Sequence, residues 1–166
     1  MATSRPTQTE LLDALQDDQQ RFNKLIGRLS DAEQEQPFTP EGWSVKDFLA
    51  HMTHWKRATH ASLIAETHDQ PLPPPLPPGD EANAAQLQQD RSQSLSLADR
   101  QADWQAVHTY LIHVLVDELD DEKLREEIRV PWDEHEIYSI GALVQSMCEH
   151  DAEHFDLIEQ HFKQGS

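Results

Sequence analysis

The sequence predicts an all-α fold, a four-helix bundle with a long crossover between its second and third long helices, in one domain over residues 1–166. Four stretches carry apolar residues at steps of three and four, which is the repeat of a single helix face. A serine or threonine suited to an N-cap precedes each stretch. No segment alternates with period two for long enough to be a strand, so the four stripes are expected to bury one another.

The first long helix is predicted near residues 7–29, where Thr7 and Glu10 have the spacing of a capping box. Its apolar stripe consists of Leu11, Leu12, Leu15, Phe22, Leu25, Ile26 and Leu29. Residues 30–40 are polar and contain two prolines, which predicts a connection that can hold one helical turn.

The second long helix is predicted near residues 44–66, with Ser44 and Asp47 as another capping box behind Gly42. Its stripe consists of Val45, Phe48, Leu49, Met52, Trp55, Leu63 and Ile64. Residues 71–78, PLPPPLPP, cannot be helix or inner strand, because proline removes hydrogen-bond donors and fixes φ. A stiff crossover linker is the favoured interpretation, and a polyproline ligand for an SH3-type domain is the alternative.

The third and fourth long helices are predicted near residues 96–119 and 139–162, capped by Ser96 and Ser139. Their stripes consist of Leu97, Trp104, Val107, Leu111, Val114 and Leu115, and of Ile140, Leu143, Val144, Met147 and Ile158. A short polar helix is predicted near residues 80–90, before the third helix.

The chain between the third and fourth long helices is predicted to contain no strand. Residues 119–131 are acidic and are predicted to contain one helical turn, and residues 132–138 are predicted to be a loop.

The charge of the chain predicts which partners it avoids. Thirteen lysines and arginines stand against 31 acids, a net charge of −18. Such a field repels phosphate backbones and anionic membranes, so we expect no nucleic-acid and no membrane partner. Neither a signal peptide nor a spanning helix is expected, and the single cysteine, Cys148, suits a reducing compartment. These observations predict a cytoplasmic protein.

The segment CEHDAEHFDLIEQH, residues 148–161, places histidines among the apolar residues of the fourth helix. His150 and His154 are neighbours one turn apart on one face, and they fall within or at the border of the apolar arc. Two imidazoles in this arrangement can converge on one metal ion. The spacing leaves two interpretations open, a metal site or core-edge histidines that are hydrogen-bonded to acids.

A metal site needs a third ligand, and His51 is the best candidate. It lies on the flank of the second helix's stripe, three residues after Phe48 and four before Trp55. His54 projects away from the stripe and is expected in solvent. His60 lies on the opposite edge from His51 and is expected to be packed or half-exposed.

Four further residues are expected to have structural roles. His108 is predicted to be packed with a backbone partner, in preference to being a fourth metal contact. His161 is two turns from His154 and too far to share its metal, and Cys148 is expected to pack. Trp132 is a loop anchor that could cover the mouth of the site.

Two stretches, GWSVKDFLAHMTHW and EHDAEHFDLI, resemble the DinB-like superfamily of bacterial four-helix bundles. The likeness extends through DEANAAQLQQDR, before the third long helix. Members place one metal-ligating histidine in the second helix, after a tryptophan-led capping box, and two in the fourth with three residues between them. The resemblance therefore implies His51, His150 and His154 as ligands of a divalent metal, often nickel or zinc, with open coordination positions.

The chemistry of such a site is consistent with catalysis. Three neutral imidazoles leave the metal its full charge, which lowers the pKa of a bound water or thiol toward neutrality and makes it a nucleophile. Asp47 and Asp151 are the candidate acids for orienting the imidazoles. Helix capping is the favoured role for Asp47, and a solvated helix edge is the alternative for Asp151.

The resemblance also implies a class of function. The known activities in this superfamily are similar to those of thiol-dependent transferases and isomerases that use bacillithiol, mycothiol or glutathione, and many members have no known reaction. A neighbouring branch protects cells against genotoxic metabolites. We therefore expect a metal-dependent transferase or hydrolase that acts on small electrophilic or toxic metabolites, with a low-molecular-weight thiol as a candidate cofactor. The alternative is a non-catalytic stress or resistance bundle that binds a metal or a small molecule. Relatives often pair, which favours a homodimer.

Overall fold

The computed structural model describes residues 5–72 and 79–164, apart from the side chain of Glu134. It confirms the all-α fold and the long crossover between the second and third long helices. The elements in chain order are α1 (Gln8–Arg28), α2 (Asp31–Glu35), α3 (Val45–Thr67), α4 (Asp80–Ser92), α5 (Leu97–Glu118), a 3-10 turn (Lys123–Arg125), β1 (Glu127–Val130), β2 (Asp133–Ser139) and α6 (Ile140–Gln164).

Local sequence determines where the helices begin. Capping boxes open α1, α2, α3 and α5, and in each the N-cap hydroxyl accepts from the N3 amide while the N3 carboxylate accepts from the N-cap amide. At the start of α6, the Ala142 amide donates to Ser139 Oγ at 3.1 Å. These contacts satisfy N–H groups that the first turn of a helix leaves unpaired, and they confirm the predicted caps.

The four long helices form a ring in which α1 and α3 occupy opposite corners, each packed against both α5 and α6. Their buried apolar side chains fill two clusters. One cluster extends from α1 and α5 to the hairpin and the first half of α6. The other includes Phe22, Phe48, Trp104 and Phe155, and it lies beside the histidines of α3 and α6.

The chain between α5 and α6 differs from the prediction. The helical turn at 123–125 is present, but residues 132–138, predicted as a loop, lie mostly in β2, which pairs antiparallel with β1. Ile128 faces Tyr138 across the ladder, and a register shift follows toward Val130. β1 is only four residues long, so its alternation is too brief to register as a pattern. Its buried side chains, Ile128 and Val130, join the core.

The remaining connections follow the sequence more closely. α2 is the single helical turn expected within residues 30–40, and α4 is the short polar helix expected near residues 80–90. Residues 73–78 of the proline-rich stretch lie outside the described residues, so the linker interpretation stays a prediction. In the described part of the chain, no helix combines the length and the apolar character needed to cross a membrane.

Candidate metal centre

Three histidines from two helices meet at one point. His51 lies near the start of α3, and His150 and His154 project from the face of α6 that packs against α3. His51 Nε2 is 3.1 Å from His150 Nε2, and His154 Nε2 is 3.0 Å from that same atom. Each residue thus offers a ligand atom, and these atoms all lie within 4.8 Å of one another.

The chemistry of this donor set fits a cation. A neutral imidazole nitrogen carries either one N–H or one lone pair. His150 Nε2 is at hydrogen-bond distance from two other ring nitrogens, and it cannot serve both with good geometry. A divalent metal accepts three lone pairs at once and removes this conflict.

Burial favours the neutral form that metal ligation requires. His51 is 6% exposed. Burial, reinforced by the neighbouring histidines, lowers the pKa of His51 to about 3 and that of His154 to about 4. At neutral pH both rings are therefore uncharged and keep a lone pair for a ligand.

Aromatic side chains surround the three imidazoles. The rings of Trp43 and His51 meet edge to face, with centroids 5.4 Å apart, and the Phe48 ring lies 5.1 Å from that of His154. Trp55 lies 6.3 Å from His150, and Trp132 packs against Trp55 at 5.4 Å. Trp132 thus contacts Trp55, and Trp55 in turn lies beside His150.

A buried ion pair that the sequence analysis missed stands behind His150. Lys56 and Asp151 form it, and both side chains are 0% exposed. Burial alone would raise the pKa of Asp151, but the Lys56 ammonium holds it below its ordinary value, so Asp151 is a carboxylate. Asp151 Oδ1 lies 3.7 Å from His150 Nδ1, and neither atom has a hydrogen-bond partner among the residues that the structure describes. The solvated-edge interpretation of Asp151 is wrong, because α3 supplies a buried counter-charge.

The sequence contains a pattern that indicates the burial of Lys56. Lys56 is four residues after Met52 and seven before Leu63, so it lies on the apolar stripe of its helix. Asp18 shows the same signature on α1, three residues after Leu15 and four before Phe22. A charged residue on an apolar stripe indicates either a burial that needs a partner or a site.

Asp18 and His108 belong to the same buried polar region. Asp18 is 3% exposed, and burial, together with the nearby Asp151, raises its pKa to about 7. Lys56 Nζ stands 4.1 Å from the Trp104 ring centroid, a cation–π contact. His108 Nε2 is 2.8 Å from the Leu15 carbonyl, which confirms its expected backbone partner.

Asp47 has its partners away from the histidines. Its carboxylate completes the capping box with Ser44 and accepts from Arg91 Nη2 at 2.9 Å and Nε at 3.2 Å. Arg91 Nη2 also donates to the Gly42 carbonyl at 2.8 Å. The capping interpretation is confirmed, and the structure adds an ionic tie from α4 to the start of α3.

The other histidines lie outside the group of three. His54 is half-buried with its ring edge-on to Trp55, so the expectation of a solvated side chain is wrong. His60 is partly buried beside Tyr110, and His161 lies against the Phe38 ring at 4.7 Å. Cys148 is buried, as expected for a packing residue, and burial raises the pKa of its thiol.

A cleft of about 570 Å³ opens beside two of the three histidines. Its lining comes from the segment before α3, from α3 itself, from α4 and from α6. The lining residues are Thr39, Glu41, Trp43, Phe48, His51, Asp80, Asn83, Ala84, Leu87, Gln88, Arg91, His154 and Leu157. The contribution of α4 was not foreseen, because a polar helix in a crossover carries no pattern that assigns it to a site.

The fold and these contacts define a helical bundle with a three-histidine cluster between its second and fourth long helices. The family model of the DinB superfamily matches residues 14–158, and the chain belongs to that superfamily. Among curated protein sequences, none matches the chain.

Solved structures of other proteins share the fold. One is YfiT from Bacillus subtilis, described as "a probable metal-dependent hydrolase with an unusual four-helix bundle topology", with a TM-score of 0.70, 18% identity and coverage of 95% of this chain and 86% of that one. The mycothiol-dependent maleylpyruvate isomerase has a TM-score of 0.68 and 13% identity, and the match covers 90% of this chain and 60% of the isomerase chain. The colibactin self-resistance protein ClbS, in complex with dsDNA, has a TM-score of 0.71 and 12% identity, and the match covers 96% of this chain and 98% of the ClbS chain.

One of these structures corrects the prediction about partners. Net charge was expected to exclude nucleic acid, yet ClbS has this fold and is in complex with dsDNA. The exclusion is therefore wrong. Net charge describes the field of a whole surface at a distance, whereas a complex depends on the charges of the one face that makes contact.

Proposed function

We propose that this protein holds one divalent transition metal at His51, His150 and His154 and acts as a metal-dependent hydrolase or thiol-dependent transferase on small electrophilic metabolites. The observation that carries the proposal is the convergence of three Nε2 atoms beside an open cleft. Three protein ligands with an accessible side are typical of catalytic metal sites, whereas structural sites are closed by four.

A metal in this position would supply Lewis-acid chemistry, polarising a substrate or lowering the pKa of a bound nucleophile. The residues of the chain would do the rest. His51 and His154 are neutral ligands by burial, and the Trp43 and Phe48 rings limit how their imidazoles can turn. Asp151, held by Lys56, places a carboxylate oxygen 3.7 Å from His150 Nδ1 and would orient that ring.

The likenesses support this class of chemistry without naming a reaction. YfiT is described as a probable metal-dependent hydrolase and the isomerase as mycothiol-dependent, and both share the fold at low identity. Nickel and zinc are the candidate metals, because both bind imidazole well. A low-molecular-weight thiol is the candidate cofactor of a transferase.

A second candidate is a non-catalytic resistance protein that binds a metal or a toxic small molecule. It is favoured by the likeness to ClbS, which is described as a self-resistance protein. The match covers nearly the whole length of both chains. The two candidates share the cleft and differ in whether substrate turns over.

The test begins with the metal content of the purified protein and of its His154→Ala variant, with His161→Ala as a control histidine on the same helix. We expect about one metal per chain in the wild type and in the control, and a large loss in His154→Ala. Esters, amides and thiol–electrophile pairs, with bacillithiol, mycothiol or glutathione, are then screened for turnover above the His154→Ala background. Bound metal without turnover would favour the resistance protein, and absence of metal would refute the proposal.

A further inference from the structure

We infer that the cleft beside the metal centre selects neutral or cationic molecules with an apolar body and discriminates against anionic ones. This inference rests on the proposed metal site and adds a substrate class to it. It comes from the charges and surfaces of the cleft lining.

The inner part of the cleft is apolar. Trp43 and Phe48 flank the histidines, and Phe48 is buried while Trp43 is half-buried. Leu157 of α6, with an exposed fraction of 44%, adds aliphatic surface, whereas Leu87 of α4 is buried and offers little. A large aliphatic side chain exposed beside a cleft offers contact area to an apolar ligand. A flat aromatic or aliphatic group next to the metal-binding atoms suits these walls.

The cleft lining carries more acidic than basic side chains. Glu41 and Asp80 line it and are exposed. Arg91 is the one cation among the described residues that line it, and its guanidinium already holds the Asp47 carboxylate and the Gly42 carbonyl. Since Asp47 balances Arg91, two acids remain without a lysine or arginine of the lining to balance them.

The two histidines of the lining do not alter this balance. As ligands of the proposed metal, His51 and His154 would bind it through uncharged imidazole nitrogens and bring no charge of their own. The proposed metal would itself be positive, and an anionic metal-binding group of the ligand would neutralise part of that charge. Away from the metal, a positive group is attracted by Glu41 and Asp80, and a carboxylate is repelled.

The uncharged polar groups of the lining fit the same class. Thr39, Asn83 and Gln88 present hydroxyl and amide groups, which hydrogen-bond to neutral substituents as donors or acceptors. They offer selectivity without a net charge. A neutral or cationic amphipathic molecule therefore matches the metal, the apolar walls and the acidic rim together.

The experiment uses three probes with one metal-binding group. Benzohydroxamate, its para-aminomethyl derivative and its para-carboxylate derivative share the metal-binding group and the ring, and their distal position is uncharged, cationic and anionic, respectively. Their dissociation constants for the zinc-loaded protein are measured by calorimetry at low and at high salt. We expect the aminomethyl probe to bind about tenfold more tightly than the carboxylate probe at low salt, and salt to narrow the gap.

Variants show which residues carry the discrimination. The double variant Glu41→Gln with Asp80→Asn should bind all three probes within about twofold of one another, since it removes the unbalanced acids. Glu149→Gln is the matched control, because Glu149 is an exposed acid of α6 that does not line this cleft. It should leave the tenfold gap in place.

Each result decides a separate question. Three results would overturn the inference and leave the proposed metal site in place. They are a carboxylate probe that binds as tightly as the aminomethyl probe, an affinity gap that survives the double variant, and a zinc-loaded protein that binds none of the three probes. A wild-type protein that takes up no zinc, or a His154→Ala variant that takes up as much, overturns the proposed metal site and the inference with it.

Discussion

At the scale of single residues, His154 separates metal binding from folding. His154→Ala should remove most of the metal affinity, because a ligand is lost. It should cost less stability in the metal-free protein than Leu143→Ala, which opens a cavity in the core at an expected cost of about 2–5 kcal/mol. Leu143 is buried in the apolar core, whereas His154 is partly exposed. Metal content and urea unfolding measure the two effects. Unchanged metal content would show that the ligands are wrongly assigned.

The buried pair of Lys56 and Asp151 predicts a non-additive response. Lys56→Met leaves the Asp151 carboxylate buried without its counter-charge, and this should cost roughly 3–5 kcal/mol of unfolding free energy. The double variant Lys56→Met with Asp151→Leu removes both charges and should recover much of that loss. Urea unfolding of the wild type, both single variants and the double variant gives the coupling energy. Additive losses would mean that the two side chains do not depend on each other.

Asp18 predicts a dependence of stability on pH. Its pKa is raised from an ordinary value of 3.8 to about 7 in the folded protein, mainly by burial. The stability that its protonated form contributes is fully present below the ordinary pKa and is lost as pH rises through about 7. The Asp18→Asn variant lacks this titrating group. Its unfolding free energy relative to that of the wild type should therefore rise between pH 4 and 7, by at most about 1.4 kcal/mol per pH unit. Urea unfolding across this range tests it, and a difference that stays constant with pH would contradict it.

At the scale of elements, Asp47 joins two helices. It closes the capping box of α3 and holds Arg91 of α4. Asp47→Ala should cost about 1–2 kcal/mol, because both the cap and the ion pair are lost. Asp99→Ala is the matched control, since Asp99 closes the capping box of α5, and its loss should be smaller. Equal losses in urea unfolding would show that Arg91 contributes nothing through Asp47.

The elements also show how far the sequence predicted the fold. The long helices begin at the predicted caps, because a capping box is a contact between residues three apart and needs no distant partner. The hairpin was missed because Ile128 and Val130 are too few to form a pattern, and their pairing with β2 is a tertiary contact. The contribution of α4 to the cleft was missed for the same reason.

At the scale of the whole molecule, the bundle should fold without the metal. Its two apolar clusters are formed by side chains from all four long helices, independently of the three histidines. After treatment with a chelator, the circular dichroism spectrum should stay helical. Zinc at about 100 times its dissociation constant should add roughly 2.7 kcal/mol and raise the Tm by several degrees. The His154→Ala variant should show little shift. A chelated protein that loses its helical spectrum would contradict this expectation.

By itself, the sequence determined the four amphipathic helices, their caps and the pair of His150 and His154 on one face, since all of these depend on spacing within one segment. Only the tertiary structure decided that His51 of α3 reaches that pair, that Lys56 neutralises Asp151, and that Glu41 and Asp80 leave the cleft acidic. The physical reason is that these contacts join residues far apart in the chain. Helical periodicity gives the direction of a side chain about its own axis, but the packing of helices decides which side chains meet.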